Sequence, residues 1–230
     1  KRVISFIKKK KLPILVGGTG LYIQAITHDY QFTTIGSNEA FREEMEQFAT
    51  KYGNEALHEK LKQLDPESYA SIHPNNVRRV IRALEVIEQT GKPFSHFQSK
   101  ENKLVYDAIF IGLTMEREVL YEQINQRIDE MIVNGLMSEA YKLYKKKIRS
   151  SQAAQAIGYK ELFLYFDGVL SKEEAIALLK RNSRRYAKRQ LTWFKNKLNM
   201  TWFDMTENRN KKKQEIMKYV AGKLHTLEKQ

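Results

Sequence analysis

The stretch "LPILVGGTGLY", residues 12–22, decides how the chain is read. Leu12 to Val16 are apolar apart from Pro13, and they run straight into three glycines around one threonine. An apolar run of this length bounded by glycine reads as a buried strand over 12–17. The glycines then bring bare backbone and one hydroxyl to the strand's carboxyl end, where open α/β sheets hold ligands. A complete phosphate loop needs Lys-Ser or Lys-Thr after its last glycine, and Leu21-Tyr22 stands there instead. Leu21 to Ile26 continue as the start of a helix.

Downstream the texture changes. After the polar connection "THDYQFTTIGS" (27–37), Phe41, Met45, Phe48 and Tyr52 recur at helical spacing up to Gly53. Leu57, Leu61 and Leu64 mark a second helix. Asp65 and Pro66 stand as N-cap and first residue of a third. A helix over 77–89 ends at "TGKP" (90–93). Residues 38–98 therefore read as a small all-helical unit.

The apolar run "KLVYDAIFIGLTM" (103–115) predicts a second strand. Thr114 is placed to cap the helix after it, whose buried stripe is Leu120, Ile124, Ile128, Met131 and Ile132. Ser171 and Glu174 form a capping box that opens a long helix to about Leu198. "MTWFDM" (200–205) reads as a short strand, followed by a helix over 208–228. The predicted fold class is α/β and helix-rich, with an α/β layer from both ends (1–33 and 103–230) and an inserted helical domain (34–102).

Composition narrows the function. Forty Lys and Arg against 27 Asp and Glu give a net charge of +13 over 230 residues. A surplus of this size suits a polyanionic partner, above all RNA, DNA or acidic lipid, and a basic surface kept for solubility is the alternative. Cysteine is absent, which excludes disulfides, thiolate metal sites and a cysteine nucleophile. Histidines 28, 58, 73, 96 and 225 show no metal-ligand spacing. No apolar run reaches the roughly 20 residues that span a bilayer. The first residues, "KRVISFIKKKK", read as the tail of an amphipathic helix feeding the strand, so the chain is expected to be a piece of a longer protein.

Three stretches offer chemistry. In "RNSRRYAKRQLTWFK" (181–195), Arg181, Arg185, Lys188, Thr192 and Lys195 share one helical face, while Ala187, Leu191, Phe194 and Leu198 share another. Cations on one face of an anchored helix suit a nucleic-acid backbone. Trp193 falls between the faces, where an indole packs or stacks on a base. In "NNVRRVIRALEV", Arg78, Arg79 and Arg82 fall within a turn near a helix start, where anions are favoured; pairing with Glu85 or Glu88 is the rival reading. "SSQAAQAIGYKEL" (150–162) is nearly uncharged up to Lys160. It suits close approach of a polynucleotide near Gly158 and Gln155, or tight helix packing. Asp107 is a candidate carboxylate within the second strand, and Arg127 reaches either a ligand or Glu130.

Taken in order, "LPILVGGTGLY", "HPNNVRRVIRALEV", "QAIGYKEL" and "RRYAKRQLTWFK", with "INQRIDEMIVNGLMSEA" between, closely resemble the tRNA dimethylallyltransferase (tRNA isopentenyltransferase) family over essentially the whole chain. The resemblance implies a partial P-loop NTPase-like core with an inserted helical domain. It implies transfer of a dimethylallyl group from dimethylallyl diphosphate to N6 of the adenosine just 3′ of a tRNA anticodon. It places the phosphate loop, the general-base aspartate and the main Mg²⁺ ligands ahead of Lys1, so the 230 residues alone are expected to be inactive.

Carried over by motif, Thr19 lies beside the reacting adenine and Arg127 helps hold the diphosphate. The tRNA-facing positions are Thr19, Arg42, Arg78, Arg79, Val80, Ile81 and Arg82 in the first half of the chain. In the second half they are Gln155, Ala156, Ile157, Gly158, Tyr159, Lys160, Lys188, Arg189, Gln190, Leu191, Thr192, Trp193, Phe194 and Lys195. Asn76 and Lys195 depart from the family's commoner Asp and Arg. The resemblance further implies a cytoplasmic, monomeric enzyme whose partners are the anticodon stem-loop and the prenyl diphosphate, with nucleotide-type phosphate binding shared with ATPases. A non-catalytic basic RNA-binding module is the alternative, and an ATP-using kinase-like protein finds no nucleotide site in these residues.

Overall fold

A computed structural model describes residues 12–29, 35–97, 103–146 and 154–227. The helix-tail reading of residues 1–11 and the start of the 150–162 stretch lie outside them. The chain divides into two compact units, one containing residues 21–107, the other residues 16–20 and 108–230.

The first unit is helical. It comprises α1 (Gly20–Thr27), α2 (Glu39–Tyr52), α3 (Asn54–Leu64), α4 (Pro66–Ser71), α5 (Val77–Thr90) and a 3₁₀ turn at Phe94–Phe97. Its core joins Met45 and Ala49 of α2 to Leu57 and Leu61 of α3 and to Val80, Ile81 and Leu84 of α5. Leu57, Leu61 and Val80 are completely buried, each contributing roughly 1.5–3 kcal/mol of transfer free energy. The expected stops are present. The Asp65 side chain accepts from Ser68 N at 3.0 Å with Pro66 in the first turn, and Gly91 adopts the left-handed conformation (φ 66°) after α5. Asp65 also accepts from Ser95 N at 2.8 Å, tying the 3₁₀ turn to α4. At the open end of the unit, Asp29 N donates to Lys103 O and Val105 N to Thr27 O, so the segments on either side of the helices run together.

The second unit carries the sheet. Strands β1 (Ile111–Thr114) and β2 (Thr201–Asp204) pair in parallel, Ile111 opposite Thr201 and Thr114 opposite Asp204. Between them come α6 (Arg117–Val133), α7 (Leu136–Lys145), α8 (Tyr159–Phe166) and α9 (Lys172–Lys197); α10 (Arg209–Leu227) follows β2. Its core gathers Ile128, Leu136, Ala140, Leu162, Ala175 and Leu179 from α6 to α9. The capping box of α9 forms as expected, with Glu174 N on Ser171 Oγ at 3.1 Å and Ser171 N on the Glu174 carboxylate at 2.7 Å.

Four expectations need correction. Residues 12–17 are irregular, with Leu12, Ile14, Leu15 and Val16 exposed, because no other described strand offers them a ladder. Of 103–115 only Ile111–Thr114 is strand, since β2 is four residues long; Leu104 makes an isolated bridge to His28, and Asp107 lies outside any strand. Thr114 stays in the ladder, its carbonyl accepting from Met205 N, so α6 begins after Glu116. Glu116 N is held by Thr206 Oγ1 at 2.7 Å. Met131 is exposed rather than part of the α6 stripe, where Ile128 alone is fully buried.

Candidate functional site

In the second unit the glycine turn of the opening stretch lies against α9. Gln190 donates from Nε2 to Gly18 O at 2.8 Å, and the Trp193 indole lies against Gly20. A Cβ on Gly18 would sit 2.2 Å from Gln190 Nε2, and one on Gly20 2.1 Å from Trp193 Cε3. Real Cβ atoms do not approach so closely, so a side chain at Gly18 would displace the Gln190 amide and one at Gly20 would have to move the Trp193 ring or the turn. Thr19, held between the two contacts, is exposed, and its hydroxyl has no partner among the described residues. The Trp193 ring is half-buried under Gly20 and edge-on to Phe194 at 5.2 Å.

The basic face of α9 forms as its spacing predicts. Arg181, Arg185, Lys188, Thr192 and Lys195 are exposed, whereas Ala187, Leu191 and Phe194 are half-buried and Leu198 is buried. Arg181, Arg185 and Lys188 make no ion pair with a described residue. Lys195 lies 5.6 Å from the Trp202 ring, and Thr192 Oγ1 donates to Lys188 O at 3.0 Å. Arg189, also exposed, stands 5.8 Å from the ring of Tyr186.

In the first unit the arginines divide. Arg42 donates from Nε and Nη2 to the two oxygens of Glu85, at 2.9 and 3.0 Å. Arg82 reaches Glu85 Oε2 at 2.5 Å and Ile35 O at 3.0 Å, and Asn38 N adds a bond at 2.7 Å. Burial by itself would push the fully buried Glu85 carboxyl up. Hydrogen bonds from Arg42, Arg82 and Asn38 outweigh it and hold the group below the usual carboxylate range. Arg78 and Arg79 are exposed with no ion pair among the described residues. Val80 and Ile81 carry side chains that belong to the core of the helical unit, at 0% and 3% exposure, because the helical period turns two of five consecutive positions inward.

Around Gly158 the residues divide between buried and exposed positions. Gly158 is buried at φ 113°, and its N–H donates to the Glu161 carboxylate at 2.8 Å. Glu161 is itself buried and accepts from Asn182 Nδ2 of α9 at 2.8 Å. Tyr159 donates to Glu139, which raises its hydroxyl pKa, and Ile157 packs on the core. Gln155, Ala156 and Lys160 remain exposed, Lys160 lying 3.8 Å from Glu161. Arg127 is exposed and pairs with no described residue, so the ion pair with Glu130 does not form. Among the described residues no three His, Cys, Asp or Glu side chains gather to hold a metal ion. No described helix is long and apolar enough to cross a membrane.

Sequence reasoning missed Tyr186, Asn182 and Glu161. Tyr186 could have been found from its place four residues before Gln190; nothing in the sequence alone marks Glu161 as buried.

The second unit thus brings a glycine turn with an exposed hydroxyl onto an amphipathic helix with an open basic face. Comparison with known proteins makes this specific: the chain belongs to the IPP transferase family, whose model matches residues 1–197. It is 59% identical over 217 residues to a tRNA dimethylallyltransferase of Geobacillus thermodenitrificans, covering 93% of this chain and 69% of that protein. The Bacillus subtilis tRNA dimethylallyltransferase is 52% identical over 226 residues, with 97% and 72% covered. Among solved structures, the full-length tRNA isopentenylpyrophosphate transferase of Bacillus halodurans superposes with a TM-score of 0.66 at 52% identity, over 99% of this chain and 72% of that one. A eukaryotic dimethylallyltransferase acting on tRNA matches with a TM-score of 0.68 at 27% identity, over 90% of this chain and 54% of that one.

Proposed function

We propose that the chain supplies the tRNA-gripping and base-presenting part of a tRNA dimethylallyltransferase. The reaction moves a dimethylallyl group from dimethylallyl diphosphate to N6 of the adenosine 3′ of the anticodon. The bond that forms joins N6 to the allylic carbon; the bond that breaks is the carbon–oxygen bond to diphosphate, and the N6 proton goes to a base. The observation that carries the reading is the Gly18-Thr19-Gly20 turn clamped by Gln190 and Trp193, in a chain that belongs to the family by motif and by fold.

In this reading Thr19, unpartnered and exposed, engages the edge of the adenine, which leaves its stack to reach it. The open cations of α9, Arg185 and Lys188 among them, hold loop phosphates, as do Arg78 and Arg79. Arg82 and Arg42, already committed to Glu85, shape the helical unit and offer only their exposed edges. Arg127, paired with no described carboxylate, neutralises the departing diphosphate. The core is of P-loop NTPase type, and residues 34–102 are its inserted helical domain. The protein works as a monomer in the cytoplasm. Mg²⁺ would be held with the diphosphate, supplying positive charge to the leaving oxygens, and no cluster of described carboxylates fits it.

The test joins the chain to the N-terminal segment of the Bacillus subtilis relative and supplies tRNA, Mg²⁺ and labelled dimethylallyl diphosphate. The chimera is expected to label the tRNA, while residues 1–230 alone are expected to label none. A well-folded chimera without transfer would overturn the assignment. Salt-sensitive tRNA binding with no transfer would return the RNA-binding module instead.

A further inference from the structure

The face of α9 that holds the glycine turn is longer than the turn. Tyr186, Arg189, Gln190 and Trp193 fall at i, i+3, i+4 and i+7, one stripe of the helix. The last two are consumed by Gly18 and Gly20. The first two are not. Tyr186 is 41% exposed, its hydroxyl has no partner among the described residues, and its ring meets the Arg189 guanidinium at 5.8 Å. The turn meets the helix with Gly18 at Gln190 and Gly20 at Trp193, and Tyr186 lies about 6 Å back along the helix axis from Gln190. The segment before the turn leaves room: nothing lies within 4 Å of where a Gly17 Cβ would sit, and Val16 is 94% exposed.

An exposed aromatic ring, a planar cation beside it and bare backbone with open space are the parts of a nucleobase platform. Resting on the function proposed above, we infer that Tyr186 stacks on an unpaired base of the anticodon loop next to the adenosine at Thr19, with Arg189 alongside that base. Trp193 fixes the turn, Thr19 meets the reacting base, and Tyr186 holds its neighbour, so one helical stripe sets the register of the loop. A phenol with a free hydroxyl stacks on any base, so the platform reads the presence of an unstacked neighbour rather than its identity.

The experiment uses residues 1–230 and anticodon stem-loops carrying 2-aminopurine at one loop position at a time, whose fluorescence falls when the base stacks. Wild type is expected to quench the probe at a position adjacent to the target adenosine. Tyr186→Phe is expected to keep that quenching, while Tyr186→Ala and Tyr186→Leu lose it together with on the order of tenfold in affinity. Circular dichroism checks that each variant folds. Equal quenching and affinity in wild type, Tyr186→Ala and Tyr186→Leu would overturn the inference and leave the prenyl-transfer reading standing. Wild type that prefers no stem-loop over a plain RNA duplex would instead overturn that reading, and the inference with it.

Discussion

Two arginine-rich helices, α5 and α9, look alike in sequence and differ in what surrounds their charges. Arg82 of α5 meets a carboxylate three residues on, and Arg42 closes on the same group from α2. The pair and Asn38 N close over a carboxylate that no solvent reaches. Arg181, Arg185 and Lys188 of α9 have no carboxylate among the described residues. The buried acid of that unit, Glu161, takes its bonds from Gly158 N and Asn182 rather than from an arginine. Arg82 is thus tied into the structure by a buried acid, whereas Arg78 and Arg79 of α5, like Arg181, Arg185 and Lys188 of α9, meet no described carboxylate. Charge along the sequence does not distinguish the two; the burial of one glutamate does.

The largest test breaks the closed side. Arg42→Ala combined with Arg82→Ala leaves Glu85 ionised in a buried place with only Asn38 N for company. A loss of about 3–5 kcal/mol in the stability of the helical unit is expected, read by urea denaturation. The matching double change Arg185→Ala with Lys188→Ala removes two exposed, unpaired cations and is expected to leave the midpoint within about 0.5 kcal/mol. A midpoint unmoved by the first pair would remove the distinction between the helices.

Next in size is Gly20→Ala. The new methyl meets the Trp193 ring, so either ring or turn must move, and Thr19 moves with the turn. A drop of about tenfold or more in transfer by the chimera is expected, since misplacement by about 1 Å near reacting atoms costs up to a hundredfold. Gly17→Ala, three residues earlier and with no described atom within 4 Å of the new methyl, is the control and should keep more of the activity.

The open side is sharpened by salt. Arg185→Ala and Lys188→Ala are each expected to weaken tRNA binding and to lower the slope of log affinity against log salt by roughly 0.7–0.9, one counterion's worth. Arg82→Lys keeps the charge and is expected to leave that slope nearly unchanged, while losing the planar fork that holds Glu85, Ile35 O and Gly36 O.

How much of this was legible beforehand follows the range of the interactions. Caps and stops are local, and Asp65-Pro66, Gly91 and Ser171 with Glu174 were readable from neighbouring residues. The amphipathic face of α9 was readable from its period. Residues 12–17 were not, because strand character needs a partner that their own composition cannot supply. Val80 and Ile81 entered the candidate site because motif resemblance carries a whole segment, whereas helix geometry separates its inward and outward positions. The Gln190 bond to Gly18 joins residues 172 apart in the chain, and no local pattern announces it.

The smallest effect is in pH, and it isolates Glu85 without disturbing packing. The carboxyl is depressed in the folded protein, so it binds a proton more readily once unfolded. Its contribution is therefore complete above the unfolded value of about 4.3 and is lost as pH falls through the lower folded value. Stability of the helical unit is expected to hold between pH 8 and 5.5 as far as this group is concerned, then to fall below about pH 4.5. Glu85→Gln, less stable at pH 7, lacks that part of the slope, so the gap between it and wild type narrows toward acid. Parallel curves for wild type and Glu85→Gln from pH 7 to 3 would show that the two arginines do not hold the carboxylate ionised.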